Sequence, residues 1–228
     1  MLDEDPKSVD QCARCGACRS VCPVFQESGW ESAGSRGRIM ILKGLDSGLT
    51  PDPQVLDSLN SCTTCAICTE LCPAGINPPA LIERGRRQMV SKGVMTGQQR
   101  SLAENILSSG NTFGLNDDRL SWLKDRKLIL KNADYAYFVG CMNSYRYTET
   151  AAKTFSLLQR FGTTILPREK CCGSPLMRMG FDAQKLVQEN CRQIKEIGAS
   201  TVITGCAGCH TTLKNSYSKD FEVKSVSE

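Results

Sequence analysis

The cysteines of this chain are the residues whose type and spacing could do chemistry. There are 14 of them in 228 residues. The stretch CARCGACRSVCP contains Cys12, Cys15, Cys18 and Cys22, and CTTCAICTELCP repeats the same spacing with Cys62, Cys65, Cys68 and Cys72. Clustered thiols form disulfides in oxidising compartments or bind metals in reducing ones. Residues 1–10 are acidic and polar without an apolar segment, so we expect no secretion signal and favour metal ligation.

The doubled spacing C-x2-C-x2-C-x3-C-P is typical of [4Fe–4S] binding. In two-cluster ferredoxins, the fourth cysteine of each motif ligates the other cluster. The sequence therefore predicts two cubane [4Fe–4S] clusters. The predicted ligands are Cys12, Cys15, Cys18 and Cys72 for the first cluster, and Cys62, Cys65, Cys68 and Cys22 for the second. Structural zinc sites are the alternative, but they usually draw on two separated cysteine pairs.

Apolar residues at helical spacing surround these motifs. SRGRIMILKGLDSG, DPQVLDSLNSC and NPPALIERGRRQMV each predict a helix. We therefore expect an α-helical two-cluster ferredoxin domain over residues 1–95, followed by a helical linker over 96–132. Five arginines flank the cluster loops, at Arg36, Arg38, Arg84, Arg86 and Arg87. They form either a solvated helix face or a set of charges that tunes the clusters or meets an acidic partner.

The pattern changes from residue 133 onward. Short β-branched or apolar runs, in ADYAYFVGC, TTILP and STVITGC, alternate with the amphipathic segments TETAAKTFSLLQRFG and DAQKLVQENCRQIKEIG. This order predicts a βαβαβ unit with a parallel sheet. The expected fold is thus a helical ferredoxin domain followed by an α/β cysteine-rich domain over residues 133–228.

Five of the six remaining cysteines follow the predicted strands. They are Cys141, Cys171, Cys172, Cys206 and Cys209. Ligands of open α/β sheets bind beyond the carboxyl ends of the strands, so these thiols should converge and could bind a metal. Cys191 lies on the apolar stripe of a helix, which favours core packing. His210 either ligates metal or donates a proton, or is a polar residue that opens a helix.

Taken together, CARCGACRSVCP, CTTCAICTELCP, SRGRIMILKG, KCCGSP and GCAGC resemble the heterodisulfide-reductase-like iron–sulfur proteins. That resemblance implies cysteine-rich CCG domains after the ferredoxin module, with a noncubane [4Fe–4S] cluster that engages a disulfide sulfur. The implied ligands and catalytic residues are Cys141, Cys171, Cys172, Cys206 and Cys209. Zinc held by the last four is the alternative. Most members carry two CCG copies, whereas this sequence has one, so a second copy is either absent or supplied by another chain or a longer parent protein.

Three functions stay open on this basis. The first is a redox subunit that reduces a disulfide or related sulfur substrate. The second is an electron relay for a flavin-linked glycolate, lactate or glycerol-3-phosphate dehydrogenase that passes electrons to quinone or another carrier. The third is a structural zinc module that docks partners.

The expected partners follow from the resemblance and the composition. The resemblance implies a flavoprotein or other redox subunit, with a membrane cytochrome subunit or a chain carrying a second CCG copy as further partners. A net charge of only +4 with dispersed basic residues argues against nucleic acid. No apolar run is long enough to span a bilayer, so we expect a cytoplasmic protein that reaches a membrane only through a partner.

Overall fold

The computed structural model describes residues 9–125 and 132–228. The start of the predicted ferredoxin domain, and residues 126–131 of the predicted linker, lie outside this part of the chain. The described residues form two compact units. We call residues 9–100 with 176–182 the helical unit, and the remaining described residues the sheet unit.

Seven α-helices lie among residues 9–109, and those over 35–46, 53–60 and 78–91 match the three predicted segments. Their bounds are α1 Ala17–Ser20, α2 Pro23–Ser28, α3 Ser35–Asp46, α4 Pro53–Asn60, α5 Ile67–Glu70, α6 Pro78–Ser91 and α7 Gly97–Ser109. Asp52 accepts a hydrogen bond from the Val55 backbone N–H at 2.8 Å and caps α4, and Pro53 takes the first helical position. Asn77 caps α6 in the same way.

Close packing of α3 against α6 forms the core of the helical unit. A Cβ on Gly85 would lie 2.2 Å from Leu42 Cδ2, so the absence of a side chain in α6 makes room for α3. The other large apolar side chains of this core, including Ile39, Leu59 and Ile82, are nearly inaccessible to solvent. The predicted stripe of α4 points into the same core. This packing fixes the helices between which the two cysteine motifs run.

The sheet unit contains a parallel four-stranded sheet in the order β2-β1-β3-β4. Its strands are β1 Tyr135–Phe138, β2 Thr163–Ile165, β3 Thr201–Thr204 and β4 Glu222–Ser225. Its helices after β1 are α8 Cys141–Tyr145, α9 Thr148–Leu158, α10 Ser174–Met179, α11 Gln184–Ile197 and α12 Ala207–Ser216. Residues 176–179 of α10 group with the helical unit. The register pairs Tyr137 with Ile165 and Ile203, so β1, β2 and β3 end at one edge.

Three features of the described residues after position 95 differ from the sequence prediction. A fourth strand, β4, pairs with β3, although its alternating polar sequence gave no strong signal. The last helix begins at Ala207 rather than after Cys209. In the predicted helical linker, only Gly97–Ser109 is helical among the described residues, because the stretch that follows forms turns. Within the described residues, no helix combines the length and apolar character needed to cross a membrane.

Candidate metal centres

Two cavities in the helical unit each collect four cysteines drawn from both motifs. The first is lined by Cys12, Cys15, Cys18 and Cys72. The second is lined by Cys22, Cys62, Cys65 and Cys68. The structure thus brings together the four cysteines of each predicted set. Four thiols in one cavity fit a [4Fe–4S] cluster, which takes four thiolate ligands. Their ligation of clusters stays a prediction.

The two cysteine loops share a left-handed backbone at matching positions. In the first loop Arg14 has φ 56° and Gly16 has φ 87°; in the second, Thr64 has φ 53° and Ala66 has φ 65°. Non-glycine residues rarely adopt these values, and such outliers concentrate at functional sites. The turn brings the Thr64 backbone N–H to 3.4 Å from Cys62 Sγ. Hydrogen bonds to cluster sulfurs are one way in which proteins set a potential.

Two of the flanking arginines are buried and hold the second cysteine loop. Arg38 donates from Nε to the Ser58 carbonyl at 2.7 Å and is 1% exposed. Arg86 donates from Nη2 to the carbonyls of Leu59 at 2.7 Å and Cys62 at 2.6 Å. The hypothesis of a solvated helix face is therefore wrong for Arg38 and Arg86. It fits Arg84, which forms a surface ion pair with Asp46.

Five thiols converge at the carboxyl edge of the sheet. Cys141 opens α8 after β1, Cys171 and Cys172 follow β2, and Cys206 and Cys209 open α12 after β3. Hydrogen bonds join neighbouring thiols in the series Cys141, Cys171, Cys172, Cys209 and Cys206. Four of the five are buried, and Cys206 is half-buried. Five convergent soft donors have the chemistry of an iron–sulfur or other thiolate-bound metal centre.

A buried polar frame, which the sequence analysis missed, positions Cys171 and Cys172. Asn190 of α11 accepts from the Lys170 N–H at 2.8 Å and donates to the Cys171 carbonyl at 3.3 Å. Tyr217 donates to the Cys172 carbonyl at 3.1 Å and accepts from Asn190 at 3.0 Å. Gln193, one turn further along α11, binds both backbone groups of Arg168. Two amides three residues apart on an otherwise apolar face were the available signal.

Mutual hydrogen bonds and burial separate the pKa values of these thiols. Hydrogen bonds from Cys171 and Cys209 lower the pKa of Cys172 to about 5. The pKa of Cys171 rises to about 12, because its hydrogen bond from Cys141 is outweighed by its bond to Cys172 together with burial. The hydrogen bond to Cys171, and then burial, raises the pKa of Cys141. A metal bound through thiolates at this site must therefore displace protons.

Cys191 and His210 are the two residues whose roles the sequence left least certain. Cys191 is half-buried and packs against the apolar core of the sheet unit, which agrees with the packing interpretation. His210 follows Cys209 in the first turn of α12, and its Nε2 lies 3.8 Å from Glu228 Oε2. Among the described residues, no three His, Cys, Asp or Glu side chains have the geometry for a single metal ion.

Comparison with known families finds two matches that divide the chain. Residues 8–76 match the model of the 4Fe-4S dicluster domain, and residues 135–214 match the cysteine-rich CCG domain. No solved structure matches the chain. The class is thus that of iron–sulfur proteins in which a dicluster domain precedes a CCG domain. Within that class, the chain is similar to the heterodisulfide-reductase-like iron–sulfur proteins.

Relatives among the curated proteins come from several redox systems. The chain is 34% identical to a subunit of the dihydromethanophenazine:CoB--CoM heterodisulfide reductase of Methanosarcina acetivorans, over 90% of this chain and 57% of the relative. It is 26% identical to the probable glycolate oxidase iron-sulfur subunit of Bacillus subtilis, over 90% and 58%. It is 24% identical to the EtfAB:quinone oxidoreductase of Syntrophomonas wolfei, over 94% and 37%. The chain therefore spans less than two thirds of the length of these relatives.

Proposed function

We propose that this chain is an iron–sulfur subunit of a heterodisulfide-reductase-like oxidoreductase that reduces a disulfide or related sulfur substrate at its CCG site. It would carry two cubane clusters in a ferredoxin domain over residues 1–95, a linker over 96–132, and a noncubane [4Fe–4S] cluster in a CCG domain over 133–228. When bound, the cubanes would supply one-electron transfer, and the noncubane cluster would supply an iron able to engage sulfur.

One observation carries the proposal: the sheet unit gathers five thiols, one more than a closed zinc or cubane site requires. The predicted ligands and catalytic residues there are Cys141, Cys171, Cys172, Cys206 and Cys209. A site with five thiol donors, one more than a tetrahedral metal site uses, can bind a noncubane cluster. The name of the Methanosarcina relative supports a disulfide as the substrate class.

The chain's own residues would bind and orient the centre. Asn190 and Tyr217 hold the backbone of Cys171 and Cys172, so the two sulfurs would keep their positions when the substrate binds. Burial of four of the five thiols excludes water from the donor set. Reduction of one disulfide consumes two electrons and two protons and yields two thiols. A partner redox subunit must supply the electrons, because a cluster passes them on without being their source.

A relay function is the second candidate, and two relatives favour it. One is named as a glycolate oxidase subunit and the other as a quinone oxidoreductase. In that case a flavoprotein would deliver electrons, and quinone or another carrier would take them without sulfur chemistry at the CCG site. A zinc ion held by Cys171, Cys172, Cys206 and Cys209 would be structural, because zinc has no redox chemistry, and the two cubanes alone would then relay the electrons.

Metal analysis of anaerobically purified protein tests the cluster content. Three four-iron clusters predict about twelve iron and no zinc per chain. About eight iron with one zinc would reject the noncubane cluster and leave the relay. If iron is near twelve, titration of the reduced protein with a small-molecule disulfide separates the remaining two functions. We expect the paramagnetic resonance spectrum to change on addition of the disulfide, and an unchanged spectrum would favour the relay.

A further inference from the structure

A buried ion pair lies beside the thiol series. Arg119 Nη2 lies 2.5 Å from Glu169 Oε1, and the two side chains are 10% and 1% exposed. Glu169 also accepts hydrogen bonds from the backbone N–H groups of Val139 at 2.6 Å and Gly140 at 2.9 Å. The carboxylate is thereby fully engaged by donors. A buried ion pair is favourable only where close contact and additional hydrogen bonds compensate the free-energy cost of desolvating both charges.

The other side of the guanidinium faces a thiol. Arg119 Nη1 and Nη2 each lie 3.7 Å from Cys141 Sγ, and the guanidinium carbon lies 5.8 Å from the centre of the Tyr145 ring. The cation therefore lies between the carboxylate and the sulfur. Two backbone N–H groups further offset the charge of Glu169, so the positive end of the pair is directed at Cys141.

Arg119 is held rigidly, although it lies in neither matched domain. Asn111, which is 1% exposed, accepts from the backbone N–H groups of Phe113 and Leu115 and shapes the loop that leads to Arg119. The next residue, Leu120, is buried in an apolar cluster with Tyr137 and others. The segment predicted to be a linker thus places the positive charge of Arg119 beside Cys141.

We propose that Arg119 is a positioning residue of the CCG site that orients Cys141 and provides the counter-charge for its thiolate ligands, with Glu169 holding it in place. Several thiolates around one metal centre carry net negative charge, and a nearby cation stabilises that charge and raises the potential of the centre. The inference rests on the proposed function in one respect only, that the five thiols hold a metal.

Opposed charge variants test this role. In the anaerobically purified full chain, we expect Arg119→Met to shift the midpoint potential of the CCG centre to more negative values, because a cation is lost. Glu169→Gln, whose amide oxygen still accepts a hydrogen bond from Arg119, should shift it to more positive values, because an anion is lost. Arg192→Met, which removes an exposed arginine paired with Glu189 and Glu196, should leave it unchanged. Shifts of one sign in both site variants, or no shift in either, would overturn the proposal.

Two further measurements keep the inference testable. If Arg119→Met does not fold, Arg119→Lys keeps the charge without the forked geometry. It should then hold the wild-type potential while losing metal faster to a chelator, and a negative shift would contradict the proposal. If the wild-type site contains zinc, the proposed function fails by itself. Arg119→Met should still release zinc faster than Arg192→Met, and equal rates would overturn the inference alone.

Discussion

At the scale of single residues, the position of Cys141 in the thiol series depends on the backbone conformation of Gly140. Gly140 has φ 79° and ψ 158°, a backbone region that is essentially restricted to glycine. A Cβ there would lie 3.2 Å from Cys209 Sγ. The same residue donates its N–H to Glu169 at 2.9 Å. Gly140 therefore allows the chain to turn sharply after β1, so that Cys141 meets Cys171.

Substitution Gly140→Ala should lower both stability and metal content at the CCG site. We expect a loss of about 2 kcal/mol in unfolding free energy from backbone strain. Crowding of Cys209 should in addition reduce the metal at this site, as measured by elemental analysis.

A matched control is Gly198→Ala at the end of α11, where φ is 81° and nothing lies within 4 Å of the added Cβ. This variant should lose about 1–2 kcal/mol for its left-handed backbone and keep its metal. Equal metal loss in both variants would mean that strain alone, and not contact with Cys209, disturbs the site.

At the scale of elements, the end of α4 controls the second cysteine cavity. The last carbonyls of a helix lack partners within the helix. Here the buried guanidinium of Arg86, from α6, donates to the carbonyls of Leu59 and Asn60 and also to that of Cys62, the first cysteine of the loop. A positive charge at a helix C-terminus is also favoured by the helix dipole. One side chain thus links helix packing to the start of a predicted ligand loop.

Replacing Arg86 by methionine should disrupt this arrangement. We expect about 3 kcal/mol of destabilisation, because several buried carbonyls lose their donor. Iron should fall by the content of one cluster, about four atoms per chain. Thermal unfolding and iron analysis measure the two effects.

Arg84→Met, on the same helix, is the control, because Arg84 forms only a surface ion pair with Asp46. Its effect should stay within about 1 kcal/mol, with iron unchanged. Iron retention in Arg86→Met would show that the loop closes around its metal without this anchor.

At the scale of the whole molecule, the thiols are partitioned between two units. The helical unit contains the eight cysteines of the doubled motif, and the sheet unit contains the other six. In each set, some of the cysteines pack against the apolar core of their own unit. Removing a ligand from one unit should therefore release the metal of that unit alone.

The substitution Cys172→Ala tests this partition. It should abolish the metal of the CCG site and leave about eight iron atoms per chain in the helical unit, given four per cluster. Cys191→Ala should leave the metal content unchanged and cost about 1 kcal/mol or less, because it trims a half-buried core group. Loss of the helical unit's iron in Cys172→Ala would reject the independence of the sites. Loss of iron in Cys191→Ala would make Cys191 a ligand.

Much of this architecture could be read from short-range patterns. Helices α3, α4 and α6 follow apolar residues at helical spacing, and strands β1 to β3 follow β-branched runs. The convergence of Cys141, Cys171 and Cys206 follows from the rule that parallel strands end at one edge. β4 escaped prediction because its side chains are mostly half-exposed and its pairing with β3 is a long-range contact.

By itself the sequence determined the prediction of which residues carry the chemistry, because cysteine spacing reflects local loop geometry around a cluster. Only the tertiary structure decided what holds those residues in place. Arg119, Glu169 and Asn190 act through partners 19 to 50 positions away. Nothing in the sequence distinguishes Arg86 from a surface arginine. In the structure it is buried and donates to the Cys62 carbonyl. The roles of these four residues depend on desolvation and on hydrogen bonds between distant segments. Neither effect produces a periodic pattern in the sequence.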